Sequence, residues 1–273
     1  QMTFKTGQII IEDIDGLQFE NLELRAKNSV NIHDAVAQSN AVAQSNDFQF
    51  TGFIDGIDGS EPNNVVIHMP EKHLQLVDSH IAASEKVTLD VRQITTDPTS
   101  LVKSTKLSIK TEEAVAGQET PLNILADTVS AKVNGDGGLY LQGIGELKLE
   151  NVVTQRGNIK ILATDALKIG RVEIAEHDNA GIDGTITLET LSDISELKPE
   201  DNTADIIARH ISLGTRIPES FEDVAVNLKS TNTEPEDGKI EAFYLEPASL
   251  YIVEAPTEKE YIPGDDTVTI KEE

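Results

Sequence analysis

The chain reads as an all-β protein wound into a right-handed parallel β-helix, and three observations carry that reading. First, apolar–polar–apolar triplets recur along it, among them Leu74/Leu76, Leu147/Leu149 and Ile159/Ile161. A period of two places one side of a short strand in a core. Second, short and long steps between triplets alternate. Leu22/Leu24 to Val30/Ile32 and Ile159/Ile161 to Leu167/Ile169 are short steps. Leu147/Leu149 to Ile159/Ile161 and Leu74/Leu76 to Val87/Leu89 are about half as long again. One short and one long step together make a coil of about 20 residues, within the range of solenoid repeats. Third, aromatic residues are only 4% of the 273, which suits a thin interior with little room for large rings. A β-sandwich is the runner-up, and it would show antiparallel pairs joined by frequent hairpins. Strands this short favour the solenoid, where each has a stacked neighbour on both sides.

In chain order, a strand-like run with Ile9, Ile10 and Ile11 comes first, followed by Leu22/Leu24 and Val30/Ile32. The tandem copy Ala-Val-Ala-Gln-Ser-Asn at Ala35–Asn40 and Ala41–Asn46 has a period that fits neither a helix nor a coiled coil, so it reads as a surface insertion. Further pairs follow at Phe48/Phe50, Leu74/Leu76, Val87/Leu89, Leu107/Ile109 and Leu139/Leu141, and on through Val172/Ile174, Ile186/Leu188 and Ile211/Leu213. Asn, Asp, Gly and Ser between them turn the chain. The expected core includes Leu76, Leu89, Leu149, Ile161, Ile169, Leu188 and Leu213. Past residue 217 the composition changes: Pro218, Pro235, Pro247, Pro256 and Pro263 interrupt regular ladders, and Tyr244, Tyr251 and Tyr261 join acidic runs. This divides the chain into a coil region, 1–215, and an acidic cap or small end module, 216–273.

Lys and Arg number 22 against 48 Asp and Glu, a formal net charge of -26. Such a chain repels phosphates, which excludes a general nucleic-acid binder and docking on an anionic membrane surface. No stretch is long and apolar enough for membrane insertion as a helix. Without cysteine there is no disulfide, thiolate metal site or thiol nucleophile. A start at Gln1 rather than Met suggests a processed chain or a piece of a longer one.

The stretch from Gly145 to Ile174, with the phrases Gly157-Asn-Ile-Lys-Ile-Leu-Ala163 and Gly184-Thr-Ile-Thr-Leu-Glu-Thr190, resembles the degenerate repeats of filamentous-haemagglutinin-like exoproteins. The resemblance implies a right-handed β-helical stalk of the kind found in bacterial adhesins, hence a secreted or cell-surface location. Its coils here are irregular and lower in Gly and Asn than such stalks, and the family's secretion domain is not recognisable. A structural or adhesive role follows, as a stalk segment or filament subunit. The partners expected are other protein subunits joined end to end, or a host or cell-surface ligand.

Three acidic, glycine-bearing turns are candidates for Ca2+, which takes several hard oxygen ligands. Asp55, Asp58 and Glu61 share the first, Asp55–Glu61; Glu176, Asp178 and Asp183 share the second, Glu176–Gly184; Asn134–Gly138 is the third. None matches the spacing of a helix–loop–helix calcium site, and tight-turn geometry explains the same residues. Three nearby histidines, His68, His73 and His80, would form a metal site if adjacent coils stacked His68 near His80. The alternative function is a polysaccharide-acting enzyme, lyase or glycoside hydrolase, of the β-helix class. Carboxylates abound, but no Trp is present and arginines are few, which serves sugar binding poorly.

Overall fold

Parallel hydrogen bonding accounts for every strand pairing in the computed structural model among the described residues. Those residues are 2–12, 22–33, 47–55, 61–176, 184–197, 205–208, 210–215, 224–230, 239–244, 250–254 and 267–272. The insertion expected at Ala35–Asn46 lies outside them. The chain climbs as a right-handed parallel β-solenoid. A sandwich would need antiparallel partners, and its hairpins are replaced here by turns that carry the chain to the next coil.

Coil length follows directly from the register. Val65 pairs with Val87, Val87 with Leu107, Leu107 with Val129, Val129 with Leu149 and Leu149 with Ile169. Each coil therefore takes about 20 residues, as the alternating steps in the sequence require. A parallel column of Ile67, Leu89, Ile109, Ala131, Val152 and Val172 runs beside it. These two columns form what we call the second face. The first face stacks Leu139, Ile159, Ile186 and Ile211, with Leu141, Ile161, Leu188 and Leu213 alongside. From residue 224 the backbone strands Val224–Ser230, Lys239–Tyr244, Leu250–Glu254 and Thr267–Glu272 continue the same parallel ladders.

The period of two explains the core. Strand Lys86–Thr96 alternates buried Val87, Leu89 and Val91 with partly exposed residues between them. All seven residues expected in the core are buried, none more than 1% exposed. Like stacks on like at a rung spacing of about 4.8 Å, so branched aliphatic side chains fill most of the narrow interior; Phe48 and Phe50, paired with Leu74 and Leu76, are rings that it nevertheless holds.

Corners are closed by buried hydroxyls. Thr111 Oγ1 donates to the Glu113 carbonyl at 2.7 Å and Thr154 Oγ1 to the Gly157 carbonyl at 2.5 Å, while Thr190 Oγ1 donates to the carbonyl of Asp165 in the coil before. Threonine suits the position because its methyl packs inward while its hydroxyl satisfies a turn carbonyl that burial would otherwise orphan. One corner requires glycine. A Cβ on Gly157 would sit 2.0 Å from the Gly137 carbonyl oxygen, and one on Gly137 would sit 2.2 Å from the Ala114 nitrogen. The Asn134–Gly138 turn is therefore glycine-rich because successive corners press backbone on backbone.

Candidate functional site: the charged outer face of the coil

Whatever the solenoid does, it does with the side chains that alternate out of its ladders. On the second face those positions also stack in register. Lys86, Lys106, Thr128, Lys148 and Lys168 form one outward column. At the next outward position of each strand, Thr88, Ser108 and Ser130 form a hydroxyl column. Beyond it stand His68, Asp90, Lys110 and Lys132. Six lysines thus share one side of a chain whose net charge is -26.

Neighbouring acids neutralise only part of this array. Asp90 receives His68 Nδ1 at 2.9 Å and Lys110 Nζ at 3.4 Å; Glu146 receives Lys168 at 3.1 Å and Lys148 at 3.6 Å. Lys86, Lys106 and Lys132 are exposed and have no ion-pair partner among the described residues. Each ion pair here is solvent-reachable and individually weak, so the array is held by the ladder beneath it and not by its charges.

The opposite corner carries ion pairs that bridge coils. Arg92 Nε donates to Glu113 at 2.7 Å, with His73 Nε2 3.6 Å from the same carboxylate. Arg156 Nε donates to Glu176 at 2.5 Å and Nη1 to Asp136 at 3.2 Å, and Gln155 Nε2 donates to Glu176 at 2.7 Å. The hydrogen bond and charge of Glu176, followed by the charge of Asp136, push the Arg156 guanidinium further up from its ordinary value. A third device sits at residue 97. Asp97 Oδ1 accepts from the Ser100 hydroxyl and amide at 2.7 and 2.8 Å and from the Thr99 hydroxyl and amide at 3.0 and 3.1 Å. Its Oδ2 accepts from the Asp78 amide of the preceding coil at 2.7 Å. Asp78 has a φ of 46°, a left-handed conformation that acidic and amide residues tolerate better than most. Partial desolvation pushes the Asp97 carboxyl up, but the bonds from Ser100, Asp78 and Thr99 outweigh it and lower the pKa from 3.8 to about 2.

Of the residues expected to bind calcium, Asp58, Asp178 and Asp183 lie outside the described residues. Asp55 ends strand Asp47–Asp55 with its backbone opposite Arg25. Glu61 accepts from Lys103 at 2.5 Å, and Glu176 serves Gln155 and Arg156. Among the described residues no group of three or more His, Cys, Asp or Glu stands close enough to hold a metal ion. The stacking of His68 near His80 does not occur. His68 belongs to the second face, opposite Asp90, whereas His80 sits on the first face opposite Leu101, its ring 6.4 Å from that of Phe53. The step from His68 to His80 is a little over half a coil, which carries the chain to another face. The lysine columns were not anticipated. Their signal was present as Lys86/Lys106 and Lys148/Lys168, the members of each pair standing one coil length apart in the sequence.

Among the described residues no helix is long and apolar enough to cross a membrane. Comparison with protein-family models, with curated proteins and with solved structures finds no match to this chain. The fold is a β-solenoid, consistent with adhesin-like repeat proteins in general.

Proposed function

We propose that the chain is a structural or adhesive rod, a stalk segment or filament subunit of a secreted or cell-surface protein. The observation that carries this is the unbroken in-register ladder from Val65 to Ile169, each coil covering the core of the one before. A ladder of this kind supplies length and stiffness through nearest-neighbour stacking. The likeness of Gly157–Ala163 and Gly184–Thr190 to filamentous-haemagglutinin repeats supports the finer reading, an adhesin stalk, with 216–273 as an acidic end section. Calcium at Asp55, Asp58 and Glu61, or at Glu176, Asp178 and Asp183, belongs to the same reading, since a divalent ion would offset the net charge of -26.

Extension of the rod is the expected mode of assembly. Strand Met2–Glu12 pairs with Leu22–His33 on one edge, and no described strand pairs with its other edge. A further coil from a neighbouring molecule extends the ladder there by strand addition. The test is electron microscopy of the full chain beside a version lacking residues 267–273, whose strand Thr267–Glu272 pairs only with Lys239–Tyr244 among the described residues. Rods that lengthen with concentration, and that shorten to single units on this deletion with the β circular dichroism retained, are the expected result. Particles of fixed single-unit length at every concentration would overturn end-to-end assembly.

A further inference from the structure

We propose that the lysine-bearing second face is a contact surface for a second copy of this chain, laid alongside the first with each rod's lysine columns against the other's acidic corner. The inference rests on the rod reading and adds to it a lateral partner. Three observations meet here. The face concentrates lysines, of which Lys86, Lys106 and Lys132 have no partner in their own chain among the described residues. The corner just ahead of it is exposed and, in most coils, acidic. Glu85 precedes Lys86 and Asp127 precedes Thr128, while Asp165 comes shortly before Lys168; Thr105 holds the place before Lys106, and Glu146, ahead of Lys148, is already paired with Lys148 and Lys168 in its own chain. Finally, both rows run along the same axis at the spacing of the coils, the lysine row interrupted at Thr128 and the acidic row at Thr105.

The shared period selects the partner. A globular protein meets such rows at one or two points, whereas another parallel solenoid repeats at the same rung spacing of about 4.8 Å and meets them coil by coil. A two-fold operation exchanges the rows, so each lysine column of one rod faces the acidic row of the other, which makes the interface self-complementary. The hydroxyl column of Thr88, Ser108 and Ser130 between the lysines has short side chains and can hydrogen-bond across the gap. One exposed pair contributes little, but several held in register by a rigid ladder act together. Salt dependence follows. Near 0.15 M the Debye length is about 8 Å, which screens the repulsion between whole rods yet leaves facing rows in reach; near 1 M it is about 3 Å, which removes the attraction as well.

The experiment is small-angle scattering with sedimentation velocity on the full chain at about 0.15 M and about 1 M NaCl. The cross-sectional radius of gyration separates lateral pairing from the end-to-end growth proposed above, which changes length alone. The expected result is a thickened cross-section at the lower salt that returns to a single rod at the higher. K86E/K106E/K132E should weaken pairing about tenfold, with K86Q/K106Q/K132Q intermediate and the circular dichroism unchanged in both. Mixing K86E/K106E/K132E with E85K/D127K/D165K should restore it. A single-rod cross-section at the lower salt at the highest concentration reached would overturn the proposal. Pairing undiminished in the glutamate variant would do the same. So would wild-type rods that stay single yet retain soluble polyglutamate through the same lysines, since the face would then serve an acidic polymer.

Discussion

Asp97→Asn tests the best-defined local device in the rod. The carboxylate accepts four bonds at one oxygen from Thr99 and Ser100 and a fifth at the other from the amide of Asp78, so it ties one coil's turn to the next. An asparagine keeps one accepting oxygen and replaces the other with a donor that faces the Asp78 N–H. The folded pKa is lowered from 3.8 to about 2. Because the folded value lies below the unfolded one, the stabilisation is fully present above about pH 4 and is lost as pH falls through the folded value near 2. At face value that depression corresponds to about 2.5 kcal/mol, and solvent screening at a carboxylate that water still reaches reduces it to about 1 kcal/mol. For a chain of this size that is a fall in midpoint of about 2–4 °C. Thermal melts of wild type and variant at pH 7, 4 and 2.5 provide the assay, and the gap should be widest at pH 7 and narrow at pH 2.5. Equal midpoints at pH 7, or a gap that does not change on acidification, would show that the five bonds are ordinary turn contacts that water replaces without loss.

Other expectations follow from the same structure. Leu149→Ala opens a cavity in a fully buried column and should cost about 2–5 kcal/mol, read from chemical denaturation. Gly157→Ala forces a methyl into the Gly137 carbonyl, which has no flexible side chain to yield, and should destabilise by at least about 1–3 kcal/mol; a neutral variant would mean that the stacked corners separate freely. With a net charge of -26, adding NaCl to about 0.15 M should raise the melting midpoint by screening self-repulsion. If the acidic turns hold calcium, Ca2+ should raise the midpoint above an equal ionic strength of Mg2+, and substituting Asp58 or Asp183 should abolish the difference.

The fold was legible because each coil writes the same message. Leu149 and Ile169 are paired neighbours in one column, so the distance between them in the sequence is the length of a coil. Register is strongly specified where one side of every strand is buried, since a slip of one position would turn Leu147 and Leu149 outward and Lys148 inward. The corners were less legible. Thr154 looks like any strand threonine until the Gly157 carbonyl beneath it is seen, and the need for glycine at 137 comes from Ala114, a coil away. The first contact lies within one turn and the second joins positions a full coil apart, and both fall at places where no hydrophobic alternation marks the register.

The outward face is harder to read for a related reason. An inward position must be apolar, so its period shows through irregularities of sequence, while an outward one tolerates almost any polar residue. The lysine column is broken by Thr128, and in the column beyond the hydroxyls Asp90 precedes Lys110 and Lys132. A count of charge along the chain registers only the excess of acids, 48 against 22. Folding separates what the count averages: the coil carries Lys86 and Lys106 to one line and Glu85 and Asp127 to the line beside it. The net charge governs how two rods repel at long range, and the lines govern what they can do on contact. Near physiological salt the first is screened and the second is not, so the surface chemistry of this chain is set by its register more than by its composition.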